Sequence, residues 1–173
     1  MSTSTIQTDL GILEYNVSGK GFPILFLHGG HSNCEETMAH KGFDQTRYQL
    51  ITPSRPGYGN TPLTSNKTAL QAANLCIALL DRLGLGKVIV YGISAGGPTA
   101  LSLAANYPDR VEKLVLASAV TQTWPESKVY KLARLVFHPT IEWCIWRLIH
   151  IGMHVFPLYL ANFFFRPSQR ILR

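Results

Sequence analysis

The chain has 173 residues, with 16 Lys+Arg against 10 Asp+Glu for a formal net charge of +6, and it is 46% apolar and 15% charged. That length suits one domain whose core buries roughly 70% of the unfolded chain's surface, and the composition excludes a disordered or low-complexity protein. Collagenous and coiled-coil classes fail for want of a Gly-X-Y repeat or a sustained heptad, and three widely spaced cysteines (Cys34, Cys76 and Cys144) exclude a disulfide scaffold and a paired-cysteine zinc site.

Met1 to Asp9 is polar and lacks both a basic n-region and an apolar h-region, so no secretory signal is read there. A reducing, cytoplasmic setting is the expectation for such thiols. Residues 12–17 roughly alternate and end in the turn cluster Ser18-Gly19-Lys20-Gly21, which predicts a half-buried strand. Pro23-Ile24-Leu25-Phe26-Leu27 is a continuous apolar run stopping at Gly29-Gly30, the pattern of a central strand covered on both faces. Residues 48–52 form a weaker strand that stops at Pro53. Ser65 or Asn66 is placed to cap a helix over residues 67–83, with Leu70, Ala73, Ile77 and Leu80 as its apolar stripe and Gly84 at its stop. Lys87-Val88-Ile89-Val90-Tyr91 is the next buried run. A Gly-rich stretch and a helix to Tyr107 follow; Pro108-Asp109 breaks that helix, and Leu114-Val115-Leu116 predicts another strand. Strands separated by helices of about ten to seventeen residues imply βαβ units and a mostly parallel sheet. Residues 1–120 therefore read as an α/β, doubly wound core.

From residue 121 the pattern turns helical and the charge changes. Residues 1–120 carry a balance of +1 and residues 121–173 a balance of +5. Val129, Leu132 and Leu135 share one helical face, Lys128, Lys131 and Arg134 another, and residues 141–155 are nearly apolar all round before Pro157. This second segment reads as a helical cover rather than a continuation of the sheet.

The chemistry concentrates at Val90-Tyr91-Gly92-Ile93-Ser94-Ala95-Gly96-Gly97. Gly92-x-Ser94-x-Gly96 lies between a predicted buried strand and a predicted helix, the context in which that spacing makes a nucleophile elbow rather than a plain Gly/Ser turn. A tight strand-to-helix turn strains the central residue, while the small residues Gly92 and Gly96 avoid collision. The serine hydroxyl then projects at the carboxyl edge of the sheet, where the next helix aims free N–H groups and its positive end. Leu27-His28-Gly29-Gly30-His31 ends an earlier strand at the same edge, and glycines there allow close approach of backbone N–H groups to a ligand. The amides of Gly30 and Ala95 would form a pair of oxyanion donors. His28 reads as a histidine bracing this loop rather than as a general base, and His31 could meet substrate or solvent.

These residues resemble the α/β-hydrolase family. His28-Gly29-Gly30, Arg55-Pro56-Gly57-Tyr58-Gly59 and Gly92-Ile93-Ser94-Ala95-Gly96-Gly97 match its landmarks in order, and residues 106–111 look like its usual helix-to-strand connection. The resemblance covers residues 10–120 and implies Ser94 as nucleophile, with the Ala95 and Gly30 amides as oxyanion hole. It implies no cofactor, and a small-molecule acyl substrate: an ester, thioester, lactone or peptide-end bond. Serine in place of Asp at the elbow speaks against the dehalogenase and epoxide-hydrolase branches. Ser54 departs from the family, where an Asp often precedes the Arg-Pro-Gly turn. Residues 121–173 look like the start of a helical cap.

In this family the order is Ser, then Asp/Glu, then His. After Ser94 the acids are Asp109, Glu112, Glu126 and Glu142, and the histidines His138, His150 and His154. Asp109 and Glu112 belong to the wrong edge of the sheet, and His150 and His154 sit four apart on an apolar cap-like helix. The expectation is therefore a C-terminally incomplete hydrolase fold, lacking on the order of a hundred residues, poorly soluble and nearly inactive by itself. Two rival classes remain. One is a membrane-associated protein, since residues 148–165 lack Asp, Glu, Lys and Arg, although His150, His154, Pro157 and Asn162 interrupt a span. The other is a non-catalytic binding module on the hydrolase scaffold. Nucleic-acid binding is not expected, because the basic residues are interspersed with Trp, Phe and Ile rather than lining a polar face; metal and nucleotide motifs are lacking as well.

Overall fold

The computed structural model describes residues 3–64, 66–122, 138 and 140–159. The chain divides into two compact units, Met1–Thr123 and Trp124–Arg173. The first unit is a six-stranded sheet of β1 (Thr3–Thr8), β2 (Gly11–Gly19), β3 (Phe22–Leu27), β4 (Tyr48–Pro53), β5 (Val88–Ile93) and β6 (Val111–Ala117), with helices α1 (Ala69–Arg82) and α2 (Gly97–Asn106). Spatial order is β1-β2-β4-β3-β5-β6. The β1–β2 and β2–β4 pairs are antiparallel, whereas β4–β3, β3–β5 and β5–β6 are parallel.

Alternation along the central strands makes two cores. Leu25, Leu27, Ile51, Val88 and Val90 face one side and pack with Ala73, Leu75, Cys76, Leu79 and Leu80 of α1 and with Ala100 and Leu103 of α2. Ile24, Phe26 and Leu50 face the other side, closed by Ala39, Phe43 and Tyr48 and by Ile89, Tyr91 and Ile93 of β5. The continuous apolar run of β3 is thus covered on both faces, as its sequence predicts.

Strand β1 has no counterpart among the elements predicted from sequence, where Met1 to Asp9 is simply polar. It is an edge strand pairing from Thr3↔Asn16 to Thr8↔Gly11, and a half-exposed edge needs little apolar alternation to form. Helix α1 also starts later than read. Thr68, not Asn66, is its N-cap: the Thr68 hydroxyl accepts from Gln71 N–H at 3.2 Å, and the Gln71 amide oxygen accepts from Thr68 N–H at 3.1 Å. Asn66 instead donates to the Leu10 carbonyl at 3.0 Å, and Ser65 lies outside the described residues. Leu70 is exposed, and the buried face runs through Ala72, Ala73, Leu75, Cys76, Leu79 and Leu80. So many positions of α1 are apolar that periodicity does not select its inner face; the sheet does. Gly84, at φ +67°, stops the helix as expected. Thr68→Ala is expected to cost about 1 kcal/mol, read as a lower urea midpoint with an unchanged denaturant slope.

In the second unit α3 (Glu142–Val155) is the described helix, and it exposes Trp143, Trp146, Leu148 and Ile151. The predicted helix through Val129, Leu132 and Leu135 lies outside the described residues. Among the described residues, no helix is long and apolar enough to cross a membrane.

Candidate active site

Strands β4, β3 and β5 are adjacent and parallel, so their carboxyl ends deliver Ser54-Arg55, His28-Gly29-Gly30 and Ser94 to one edge of the sheet. Open α/β sheets place their ligands at that edge. β5 runs to Ile93, the next residue is Ser94, and a single 3-10 turn over Ser94–Gly96 leads into α2. Ser94 is exposed and has φ 47°, a left-handed conformation that costs a non-glycine residue on the order of 1 kcal/mol or more.

Close packing explains the flanking glycines. A Cβ at Gly92 would come within 2.6 Å of the Ala100 Cβ, and a Cβ at Gly96 would collide with the Leu27 carbonyl. The turn therefore sits tightly between β3 and α2, and that tightness presents the Ser94 side chain outward. Gly29 lies against it: a Cβ built there would be 3.5 Å from Ser94 Cβ and 4.0 Å from Oγ. The same construction at Gly30 meets nothing within 4 Å, so the space beside its backbone is open. Ala95 follows directly on the serine in the turn.

His28 is fully buried and uses both ring nitrogens. Nδ1 lies 2.8 Å from the Gly29 carbonyl, which only accepts, so Nδ1 carries the proton. Nε2 then accepts from the Arg55 backbone N–H at 2.9 Å. Burial pushes this imidazole down to about 4; the Gly29 hydrogen bond opposes that, and the Arg55 charge adds to it. With both nitrogens committed, His28 is a brace between the β3 and β4 loops.

Three contributors escaped the sequence reading. Arg55 Nη2 donates to the Gly29 carbonyl at 3.0 Å and Nη1 to the Ala95 carbonyl at 3.2 Å, with the guanidinium 4.6 Å over the Tyr58 ring. Glu14, buried on β2, accepts from Ser54 Oγ at 2.6 Å and from Asn60 N–H at 3.0 Å, and Ser54 Oγ accepts from Cys34 N–H at 3.0 Å. Burial pushes the Glu14 carboxyl up, but the hydrogen bonds from Ser54 and Asn60 outweigh it and leave the group below its ordinary range. At position 54, where the sequence departs from the family, the Ser54 hydroxyl thus meets a carboxylate supplied by β2. Third, Val120 N–H donates to the Ser94 carbonyl at 2.8 Å, reached because the chain turns at Ser118, also at φ 47°. Arg55 was legible only as part of a loop motif; Glu14 and Val120 lie too far away in sequence for any local pattern to mark them.

Other candidates lie elsewhere. Asp109 and Glu112 flank the start of β6, at the far end of the sheet from Ser94. His31 is exposed at the end of the β3 loop. The His150 and His154 rings meet on α3 at a tilt of 59° with centres 4.6 Å apart, and the His150 carbonyl lies 3.0 Å from His154 Nδ1. Among the described residues, no group of three or more His, Cys, Asp or Glu side chains is placed to hold a metal ion.

Comparison with known proteins follows the same geometry. A family model described as the alpha/beta hydrolase fold matches residues 23–137. An uncharacterized hydrolase of Bacillus subtilis (strain 168), YcgS, is 44% identical over 174 residues, covering 96% of this chain and 61% of its own length. Among solved structures, an alpha/beta hydrolase fold protein from Nakamurella multipartita has TM-score 0.65 and 36% identity, over 76% of this chain and 47% of that one. An esterase, EaEST, from Exiguobacterium antarcticum has TM-score 0.64 and 26% identity, over 75% of this chain and 50% of that one. The chain therefore spans between about half and three-fifths of the length of these relatives. With the family model matching two thirds of its length and a relative 44% identical over 96% of it, the chain belongs to the alpha/beta hydrolase fold family.

Proposed function

We propose that this chain carries the nucleophile and anion hole of a serine hydrolase. It would transfer the acyl group of an ester, thioester, lactone or peptide-end bond to water through an acyl-enzyme on Ser94. The observation that carries the reading is an exposed serine held at φ 47° between a parallel strand and a helix. Such strain persists only where the surrounding structure over-determines it, and at this strand-to-helix junction it presents the hydroxyl at the carboxyl edge of the sheet, which supports a nucleophilic role. The Ser94 oxygen adds to the acyl carbon, and the oxyanion that forms lies where the Gly30 and Ala95 N–H groups and the start of α2 favour negative charge. The bond to the leaving group breaks as that group takes the proton lost by Ser94, and water then adds to the acyl carbon, freeing the acid and returning a proton to the Ser94 oxygen. The description of the Exiguobacterium relative as an esterase supports the ester class. In this reading residues 121–173 begin a helical cap, and a small acyl compound is the partner.

Labelling the full protein encoded by its gene with a fluorophosphonate probe tests this. Modification at Ser94 that disappears in Ser94→Ala is the expected result; labelling retained in the variant, or none in the wild type, overturns the reading.

A further inference from the structure

Two peptide carbonyls at the site are held from behind. The Gly29 carbonyl accepts from His28 Nδ1–H at 2.8 Å and from Arg55 Nη2 at 3.0 Å. The Ser94 carbonyl accepts from Gly97 N–H, and from Val120 N–H at 2.8 Å. Among the described residues every peptide is trans, so the N–H in each planar unit points opposite to its carbonyl. Those N–H groups belong to Gly30 and Ala95, the donors assigned above to the oxyanion. Arg55 is the side chain common to both loops, since its other outer nitrogen holds the Ala95 carbonyl at 3.2 Å.

We infer that Arg55 is a positioning residue for the anion hole. Its planar fork ties the loop after β3 to the turn after β5, keeping the Gly30 and Ala95 amides at the spacing a tetrahedral oxyanion requires. The inference rests on Ser94 as the nucleophile. Two features favour it over a merely structural role. The guanidinium is directed at the backbone of the two loops that carry the proposed donors and not at a carboxylate. A fixed positive charge also stands behind the carbonyls, at the site where negative charge develops during acyl transfer.

Lysine keeps the charge but not the fork, because a single ammonium does not reproduce two parallel, planar donors. Hydrolysis of p-nitrophenyl butyrate by the full gene product and its Arg55→Met, Arg55→Lys and Ser94→Ala variants separates the roles. Arg55→Met is expected to lower kcat about 100-fold with KM within about 3-fold, and Arg55→Lys to lower kcat about 10-fold with KM unchanged. The Gly30 amide resonance should also shift in Arg55→Lys, a change visible without turnover. Should Arg55→Met not fold, Arg55→Lys decides by the same kcat and KM. A kcat within about 3-fold of wild type in a folded Arg55 variant, with Ser94→Ala inactive, overturns the Arg55 role alone. Activity surviving in Ser94→Ala overturns the underlying reading instead.

Discussion

Ser94→Ala and Ser94→Gly are each expected to lower kcat/KM of the full gene product toward p-nitrophenyl butyrate by at least about 10⁴-fold, and Ser94→Gly is expected to be the more stable of the two by about 1 kcal/mol. The first effect follows from losing the oxygen proposed to form the acyl-enzyme, which would leave only the catalysis available from an anion hole and binding. The second reverses the usual order. In an ordinary helix or strand, glycine is less stable than alanine by roughly 0.5–1 kcal/mol, because the unfolded glycine chain has more freedom to lose. At φ 47°, alanine keeps the Cβ clash that serine suffers, whereas glycine has none. Denaturant midpoints of the two variants measure the difference. Equal stabilities, or alanine ahead, would show that residue 94 is not strained, and the argument from strain to nucleophile would fail.

The second large effect is in pH. His28 by itself is expected to withdraw about 3 kcal/mol of stability as pH drops from 6.5 to 4. Above 6.5 the imidazole is neutral in both folded and unfolded chains and contributes no pH dependence. Between 6.5 and about 4 the unfolded chain binds a proton that the folded chain refuses, so falling pH favours unfolding. The structural cause is plain: Nε2 accepts the Arg55 N–H, and a protonated ring has no lone pair with which to do so. Burial holds the His40 imidazole low as well, so it too favours unfolding as pH falls below the ordinary imidazole range. The informative quantity is therefore the difference between wild type and His28→Asn. The variant is expected to be less stable at pH 7 and to show a shallower loss on acidification. Parallel stability curves for the two proteins would remove His28 from the account.

The arrangement as a whole separates presentation from support. Ser94 and Gly30 face open space, while His28, Arg55 and Val120 act on the backbone behind them and Glu14 holds the loop after β4. Such a division lets the exposed side be strained and reactive, because the buried side over-determines its geometry. It also explains how Ser54 is accommodated: the Glu14 carboxylate reaches the loop through the Ser54 hydroxyl and holds Asn60 at the same time.

Much of the framework is legible in the sequence because its signals are local. A continuous apolar run marks β3 as central, since only a strand covered on both faces tolerates that pattern. Gly-x-Ser-x-Gly between a strand and a helix marks the turn, because few backbones accommodate it without glycines packed against their neighbours. Less legible were β1, whose edge position demands little alternation, and the inner face of α1, where too many positions are apolar for periodicity to choose.

By itself, then, the sequence determined the alternation of strands and helices, the mostly parallel sheet and the serine at its carboxyl edge, all encoded within windows of a few residues. Only the tertiary structure decided that His28 is a committed brace, that Arg55 links the loop after β3 to the turn after β5, and that Glu14 accepts from the Ser54 hydroxyl. Each of those roles is a hydrogen bond closing a loop of 26 to 40 residues, and the partners of such bonds are chosen by strand order and register rather than by neighbouring sequence.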